Sequence, residues 1–477
     1  MSVARSSASV FLSPDSIAIV GAGDRPTSSG GAVLRNLLKS GYRGRIVPVN
    51  PKGGELLGLQ VAASLKEVSP ACELAVIVVR PDGILDVVRE AAATGHRNLL
   101  ILPGGFAEAG EEGKARDREL RALADEHGLN IAGPNCAGTI DLLDEQRPFA
   151  ATFFRDLPRA GGVALISQSG AIAEEVVASS HTLGIPLGAM VSVGNAMQLG
   201  LSEYLEHFGA DPACKAILLY AESFGDAKRF QALARAVRKP IIALIGGRTS
   251  IGRDAAFRHT GSTAMSNQDA DAFCRAAGIV RVSSLRELML AGKAFCAHPG
   301  GIGRRVLLLS NSGGPGVLAT DQCVQEGLEL PTIPSALVPR LRAFYPPEAV
   351  VANPLDLLAD AREDRFGGTL EAVLASAADA FDAILIIHVV PFMVDAGIVV
   401  MRLAELARDS SLPILHSMMG TLEHKRQWMI TMEQAGVPMF DNVEDMAAAA
   451  GMLARYRASA GNSSGSSSTQ SATTQSH

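Results

Sequence analysis

The sequence predicts an α/β protein of doubly wound parallel sheets, and three observations predict it. Short runs of branched aliphatic residues alternate with helix-like segments along the chain. Small, glycine- and hydroxyl-rich turns stand where a strand hands over to a helix, at Gly21, Ser167 and Ser310. At 477 residues, the chain is too long for one ordinary core. The expected division is a lead-in at 1–13, a first domain at 14–139, a second at 160–297, a third at 302–456 and a Ser-rich tail at 457–477 without the apolar residues to fold.

A net charge of −6 gives no electrostatic reason to expect a nucleic-acid or anionic-membrane partner. Six scattered cysteines without CxxC pairs or histidine clusters read as reduced core thiols, with no metal site. The N-terminus lacks the apolar stretch of a signal peptide and no span has membrane length, so the cytoplasm is the default.

In chain order, strand SIAIV (16–20) runs into Gly21-Ala22-Gly23, helix AVLRNLLKSG follows, and strand RIVPVN ends at Asn50-Pro51-Lys52. Gly21 and Gly23 permit a tight turn and close approach of a phosphate to backbone. A dinucleotide ribose prefers an acidic residue after the second strand; Lys52 stands there instead and suits a phosphorylated ligand. Strands 74–79 and 98–103 and helices 83–94 and 108–127 complete the domain, which closes at the loop GPNCAG (133–138). Its Cys136 reads either as a thiol near a ligand or as a small buried hydrophobe.

After a connector at 140–160, strand GVALIS reaches Ser167-Gln168-Ser169-Gly170 and a helix starts. Helix N–H groups, hydroxyl donors and about half a positive charge from the helix dipole make such a turn an anion site. Strand 216–223 carries Glu222 at its carboxyl end, and strand PIIALIG (240–246) leads into a polar loop, 246–268, that carries His259. Ligands bind at that edge of an open α/β sheet. In the third domain, strand RVLLLS (305–310) runs into Asn311-Ser312-Gly313-Gly314-Pro315-Gly316, a second strand–small loop–helix anion site. His388 and His416 lie in apolar strands and read as satisfied core histidines. Two anion sites (Ser167, Ser169 and Gly170; Gly313, Gly314 and Gly316), a histidine and a carboxylate add up to a phosphohistidine site. Glu222 holds one imidazole N–H and leaves the other nitrogen nucleophilic.

These residues resemble the α subunit, or N-terminal half, of ADP-forming acyl-CoA synthetases of the acetate–CoA ligase type, relatives of succinyl-CoA synthetase. The likeness runs in collinear order over about residues 10–455, through SIAIVGA, VNPK, GFAEAG, GPNCAG, SQSGA, SVGN, HTG, NSGGPGV and NPLDLL. It implies a Rossmann-like CoA-binding domain followed by two flavodoxin-like succinyl-CoA-ligase-type domains. It places the phosphorylated histidine on His259 and its supporting carboxylate on Glu222. A CoA pocket would be framed by Gly21, Gly23, Lys52 and Pro81, with Asn135 near the thiol. It further implies ligation of a carboxylic acid to CoA at the expense of ATP, through an acyl phosphate and a phosphohistidine. ATP, ADP and Mg²⁺ would sit on a separate ATP-grasp β subunit, making a hetero-oligomer. Three departures from the family pattern bear on the choice of acid. Arg258 replaces a usual serine, Ile245 a common lysine, and Met197-Gln198-Leu199 occupy a region where an acidic residue is frequent. The rival readings are a CoA- or acyl-CoA-binding module without turnover and, third, an NAD-dependent oxidoreductase.

Overall fold

The computed structural model describes residues 7–260, 265–390, 394–420 and 423–465. It divides into two compact units, residues 1–288 and 289–477. Among the described residues the first unit holds two large sheets and a small antiparallel pair, Glu55–Leu56 with Leu59–Gln60, and the second holds one large sheet.

The three large sheets are built by the same rule. In the first, the parallel strands stand in the order Arg45–Val49, Ser16–Val20, Leu74–Ile77, Asn98–Ile101 and Asn130–Ala132. Numbered by appearance, that is 2-1-3-4-5. The five parallel strands of the second sheet, Val163–Ser167, Leu187–Ser192, Ala216–Ala221, Ile241–Ile245 and Val280–Val282, repeat the order. So do Val306–Ser310, Leu355–Asp356, Ala383–Val389, Ile414–Met419 and Met439–Phe440 in the third. In each sheet the direction in which successive strands are added reverses between the first and third strands, which run parallel. The loops leaving their carboxyl ends diverge there and open a crevice.

The strands read as unbroken apolar runs because both faces are covered. In Ser16–Val20, Ile17 and Ile19 enter one core while Ala18 and Val20 enter another. The first of these cores also takes Phe149, Ile166, Val191 and Leu219 of the second sheet. One continuous apolar core thus ties the first two sheets into one unit.

Three expectations are corrected. The stretch read as a connector at 140–160 contains an antiparallel pair, Gly138–Asp141 with Phe149–Thr152, which extends the second sheet beyond Leu187–Ser192. Four-residue strands made of small residues carry too little periodicity to announce themselves. The polar loop read at 246–268 holds a helix, Ser250–Thr260. Thr249 Oγ1 accepts the Gly252 N–H at 3.0 Å and starts it. The tail expected from 457 begins inside the last helix, Val443–Gly465. Gly301 lets that helix pass, for a Cβ there would sit 3.1 Å from the Arg457 Cβ. Residues 466–477 lie outside the described residues.

Candidate active site

The first sheet offers its crevice between the loops after Ser16–Val20 and Leu74–Ile77. Gly21 has φ +96°, and a Cβ on it would stand 2.4 Å from the Val78 carbonyl oxygen. A Cβ on Gly30, in the first turn of helix Ser29–Ser40, would stand 2.3 Å from the Gly21 oxygen. No side chain fits between strand, loop and helix, so backbone itself forms the floor. Asn50 ties the second strand to this loop: its Nδ2 donates to the Ala22 oxygen at 2.7 Å and its Oδ1 accepts the Lys52 N–H at 3.1 Å.

A cavity of about 810 Å³ opens here, and Gly21, Asn135, Ser169 and Gly170 all line it. Gly23, Lys52 and Pro81 do not. Gly23 packs against the helix, where a Cβ on Gly31 would lie 2.2 Å from its oxygen. Lys52 is exposed on the loop beyond Asn50, and Pro81 occupies the first turn of helix Pro81–Ala93. Reading by motif missed Arg25 and Arg80, two exposed cations that line the cavity, and Ser28, which caps its helix by accepting the Gly31 N–H at 3.2 Å. Their signal was weak: single arginines beside a glycine turn and a proline. Cys136 is fully buried, its thiol 3.4 Å from the Ile101 oxygen and pushed up to about 12 by burial, so it acts as a small hydrophobe.

The anion loop of the second sheet continues that cavity. Ser169 caps helix Gly170–Leu183 by accepting the Ile172 N–H at 3.3 Å. Ser167 is fully buried, and its hydroxyl is spent inside the loop, donating to the Ser169 oxygen at 2.7 Å and accepting the Ser169 N–H at 3.1 Å. Its contribution is the shape of the turn. Gln168, which motif reading passed over, clips the loop to the third strand. Its Oε1 accepts the N–H groups of Glu222 at 2.5 Å and Ser223 at 3.0 Å, and its Nε2 donates to the Ser223 oxygen at 2.9 Å.

Glu222 stands at the carboxyl end of Ala216–Ala221, half-buried. The Tyr220 hydroxyl donates to its Oε1 at 3.2 Å, while Oε2 is buried with no hydrogen-bond partner among the described residues. The carboxylate and burial together push the Tyr220 phenol up to about 12, burial first, so Tyr220 remains a donor. A second cavity, about 430 Å³, is lined by Glu222, Glu108, Asn195 and Arg229 and shares Asn135 and Gln168 with the first. The neighbouring strand Ile241–Ile245 leads past Glu222, with a Cβ on Gly246 placed 3.5 Å from the Glu222 Cγ, and then into the helix of His259. His259 is the penultimate residue of that helix; its side chain lies outside the described residues, as do residues 261–264. Arg258 is exposed, and Ile245 is buried in the shared core. In the 197–199 region, Gln198 Oε1 accepts the Ile131 N–H at 2.6 Å, closing the end of the first sheet.

The second unit repeats the loop. Ser310 Oγ donates to the Ser312 oxygen at 2.8 Å and accepts its N–H at 3.1 Å. Asn311 exchanges bonds with Val389, Oδ1 accepting at 2.9 Å and Nδ2 donating at 2.7 Å. Helix Gly313–Gln325 begins there, at a cavity of about 350 Å³ lined by Gly313, Gly316 and Asp356. Gly314 faces open space, with nothing within 4 Å of a Cβ placed on it. The Asp356 carboxylate beside this helix start was also missed, although NPLDLL contains it.

Comparison with known proteins agrees with this architecture. A CoA binding domain family matches residues 15–141, a succinyl-CoA ligase like flavodoxin domain 160–295 and a ligase-CoA domain 306–464. The chain is 34% identical over 460 residues to the acetate–CoA ligase [ADP-forming] II subunit alpha of Pyrococcus furiosus, covering 94% of this chain and 98% of that one. It is 35% identical over 350 residues to the acetate–CoA ligase [ADP-forming] of Methanocaldococcus jannaschii, where the match spans 73% of this chain and about half (49%) of the relative. The structure of the Ca. Korarchaeum cryptofilum dinucleotide forming acetyl-coenzyme A synthetase 1 in complex with phosphate and ADP superposes with a TM-score of 0.87 at 29% identity, covering 96% of this chain and 98% of that one.

Proposed function

Because the chain belongs to the ADP-forming acyl-CoA synthetases of the acetate–CoA ligase type, in the form of their α subunit, we propose that His259 is its phosphoryl carrier and Glu222 the carboxylate that supports it. The protein is an acid–thiol ligase subunit, interconverting a carboxylic acid, CoA and ATP with acyl-CoA, ADP and phosphate.

One observation carries the assignment: the buried, unpartnered Oε2 of Glu222, on the strand beside the one that leads to His259. A buried carboxylate oxygen without a donor is costly, and an imidazole N–H arriving there removes the cost. That bond fixes the tautomer and leaves the second ring nitrogen free to attack phosphorus. In the synthetic direction the histidine takes the γ-phosphoryl group of ATP and releases ADP. The substrate carboxylate then attacks phosphorus, giving an acyl phosphate and free histidine. The CoA thiolate attacks the acyl carbon and expels phosphate. The Gly21 crevice, with Arg25 and Arg80 beside it, suits the phosphates of CoA. Ser169 and Gly170 at one helix start, and Gly313 and Gly316 at another, suit a phosphoryl group.

Nucleotide and Mg²⁺ belong, in this reading, to a separate ATP-grasp β subunit. Val317 and Val324, one helical face apart by seven residues and each 62% exposed, offer apolar surface for such a partner. Six free cysteines suit the reducing cytoplasm, where ATP and CoA are at hand. Among the described residues no helix is long and apolar enough to cross a membrane.

The test is phosphoryl labelling from γ-labelled ATP in the presence of the β partner. An acid-labile label is expected on the wild-type chain and none on His259→Ala. Glu222→Gln should slow labelling by about 10²-fold, as loss of one preorganised electrostatic partner does. Label persisting on the His259→Ala chain would refute the assignment.

A further inference from the structure

Three strings far apart in the sequence, GFAEAG (105–110), GPNCAG (133–138) and SVGN (192–195), interlock in the structure. The Asn195 N–H donates to the Pro134 oxygen at 2.9 Å, and the Ala137 N–H donates to Ser192 Oγ at 3.0 Å. Gly194, at φ +56°, lies so close that a Cβ would stand 2.4 Å from the oxygens of both Pro134 and Asn135. Across this junction runs a chain of side-chain hydrogen bonds. Glu108 Oε1 accepts the N–H groups of Gly105 at 2.5 Å and Phe106 at 3.2 Å. Its Oε2 accepts from Asn195 Nδ2 at 2.5 Å, and Asn195 Oδ1 accepts from Asn135 Nδ2 at 3.2 Å.

The chain has a polarity that a single charge sets. An ionised carboxylate only accepts, so Asn195 must turn its NH₂ to Glu108 and its carbonyl to Asn135. Asn135 must then turn its own NH₂ inward, and one N–H and its carbonyl oxygen remain for a ligand. Partial burial works against ionisation of Glu108, but the hydrogen bonds from Asn195 and from the Gly105 and Phe106 backbone hold its carboxyl below the usual range. Asn135 is exposed and lines both cavities.

We propose that Glu108 and Asn195 are positioning residues that lock the Asn135 side-chain amide in one orientation toward the acyl group as it passes between phosphate and the CoA thiol. The proposal rests on the CoA reading of the Gly21 cavity. When the thiolate sulfur adds to the acyl carbon, negative charge gathers on the carbonyl oxygen. The free N–H of Asn135 donates to that oxygen until the intermediate collapses and phosphate leaves. Phosphorylation of His259 uses none of these groups.

The experiment compares wild type, E108Q, N195D and E108Q/N195D with the β partner, each checked for an unchanged melting temperature. It reads labelling of His259 from ATP separately from acyl-CoA formation from acid, ATP and CoA. A glutamine in place of Glu108 keeps its carbonyl on the Gly105 and Phe106 N–H groups and turns its NH₂ to Asn195, which reverses Asn195 and, through it, Asn135. E108Q should lower kcat for acyl-CoA formation ten- to a hundredfold, leaving the KM for CoA and the labelling rate within about threefold. N195D abuts two carboxylates and should lose activity too, recovering as the pH falls and the pair shares a proton. The double variant restores the polarity, since the introduced amide donates to the introduced carboxylate and that carboxylate accepts from Asn135. It should recover at least tenfold over either single variant. Wild-type kinetics in E108Q, a parallel fall in labelling, or a double variant no better than the singles would each overturn the proposal. If wild type forms no phosphohistidine at all, the functional reading itself fails, a result the variants cannot mimic.

Discussion

At the scale of single residues, the glycines with a demonstrable steric reason separate from those with none. Gly194 and Gly225 both lie in the left-handed region, at φ +56° and +58°. A Cβ on Gly194 meets two carbonyl oxygens at 2.4 Å, whereas one on Gly225 meets nothing within 4 Å. Gly225→Ala should therefore cost about 1 kcal/mol, the backbone penalty alone. Gly194→Ala must also displace the 133–135 loop and should cost at least about 2 kcal/mol more, read from denaturant midpoints; equal losses would refute the steric argument. Motif reading singled out Gly21, Ser169 and Glu222, and the family likeness singled out Asn135; all four line the two cavities of the first unit. Motif reading missed Glu108, Gln168 and Asn195, whose roles lie in partners 54 to 87 positions away. Ser167 was legible as part of an anion turn, but only the folded structure shows its hydroxyl turned back on the loop.

At the scale of elements, the two anion turns are one device used twice. In each, a strand-ending serine braces the next-but-one residue, and the amide side chain between them extends the parallel ladder to the third strand. Gln168 does this for Glu222 and Ser223, Asn311 for Val389. The consequence differs because the residue held by Gln168 is a carboxylate and the one held by Asn311 is a valine. Gln168→Ala frees the Glu222 backbone and should slow His259 labelling roughly tenfold to a hundredfold, with little change in stability because the residue is half-exposed. Quench-flow labelling at saturating ATP reads this; an unchanged rate would mean that Glu222 holds its place without Gln168. The long strands were legible from apolar runs separated by glycine turns; their 2-1-3-4-5 order across each sheet came only with the structure. The pair Gly138–Asp141 and Phe149–Thr152 was not, since register with a neighbouring sheet is decided by tertiary packing. Helix Ser250–Thr260 was read as a loop because its glycine, serine and threonine argue locally against a helix, and its Ala255-Ala256 stretch argues for one.

At the scale of the whole molecule, the second unit carries a liability that corrects the sequence reading, which took His388 and His416 as satisfied core histidines. His388 and His416, on adjacent strands, are fully buried with ring centroids 5.9 Å apart, and none of their four ring nitrogens has a hydrogen-bond partner among the described residues. Burial lowers His388 to about 4; burial first, and then the neighbouring His388, lower His416 well below the usual range. Both pairs of nitrogens must therefore stay free of added charge in the folded state. The unfolded chain takes up a proton on each ring near pH 6.5, so it binds more protons than the folded one below that value. Stability is thus complete above about pH 6.5 and falls as the pH drops toward about 4, by roughly 2 kcal/mol for each histidine at pH 5. Trp428, the only tryptophan in the chain, packs against the same core and reports on this unit alone. Urea midpoints followed by its fluorescence should drop between pH 7.5 and pH 5 in wild type. His388→Phe/His416→Phe keeps the volume and removes the proton uptake, so its midpoint should change far less over that interval. Parallel pH profiles for the two proteins would show that the acid sensitivity of this unit comes from elsewhere.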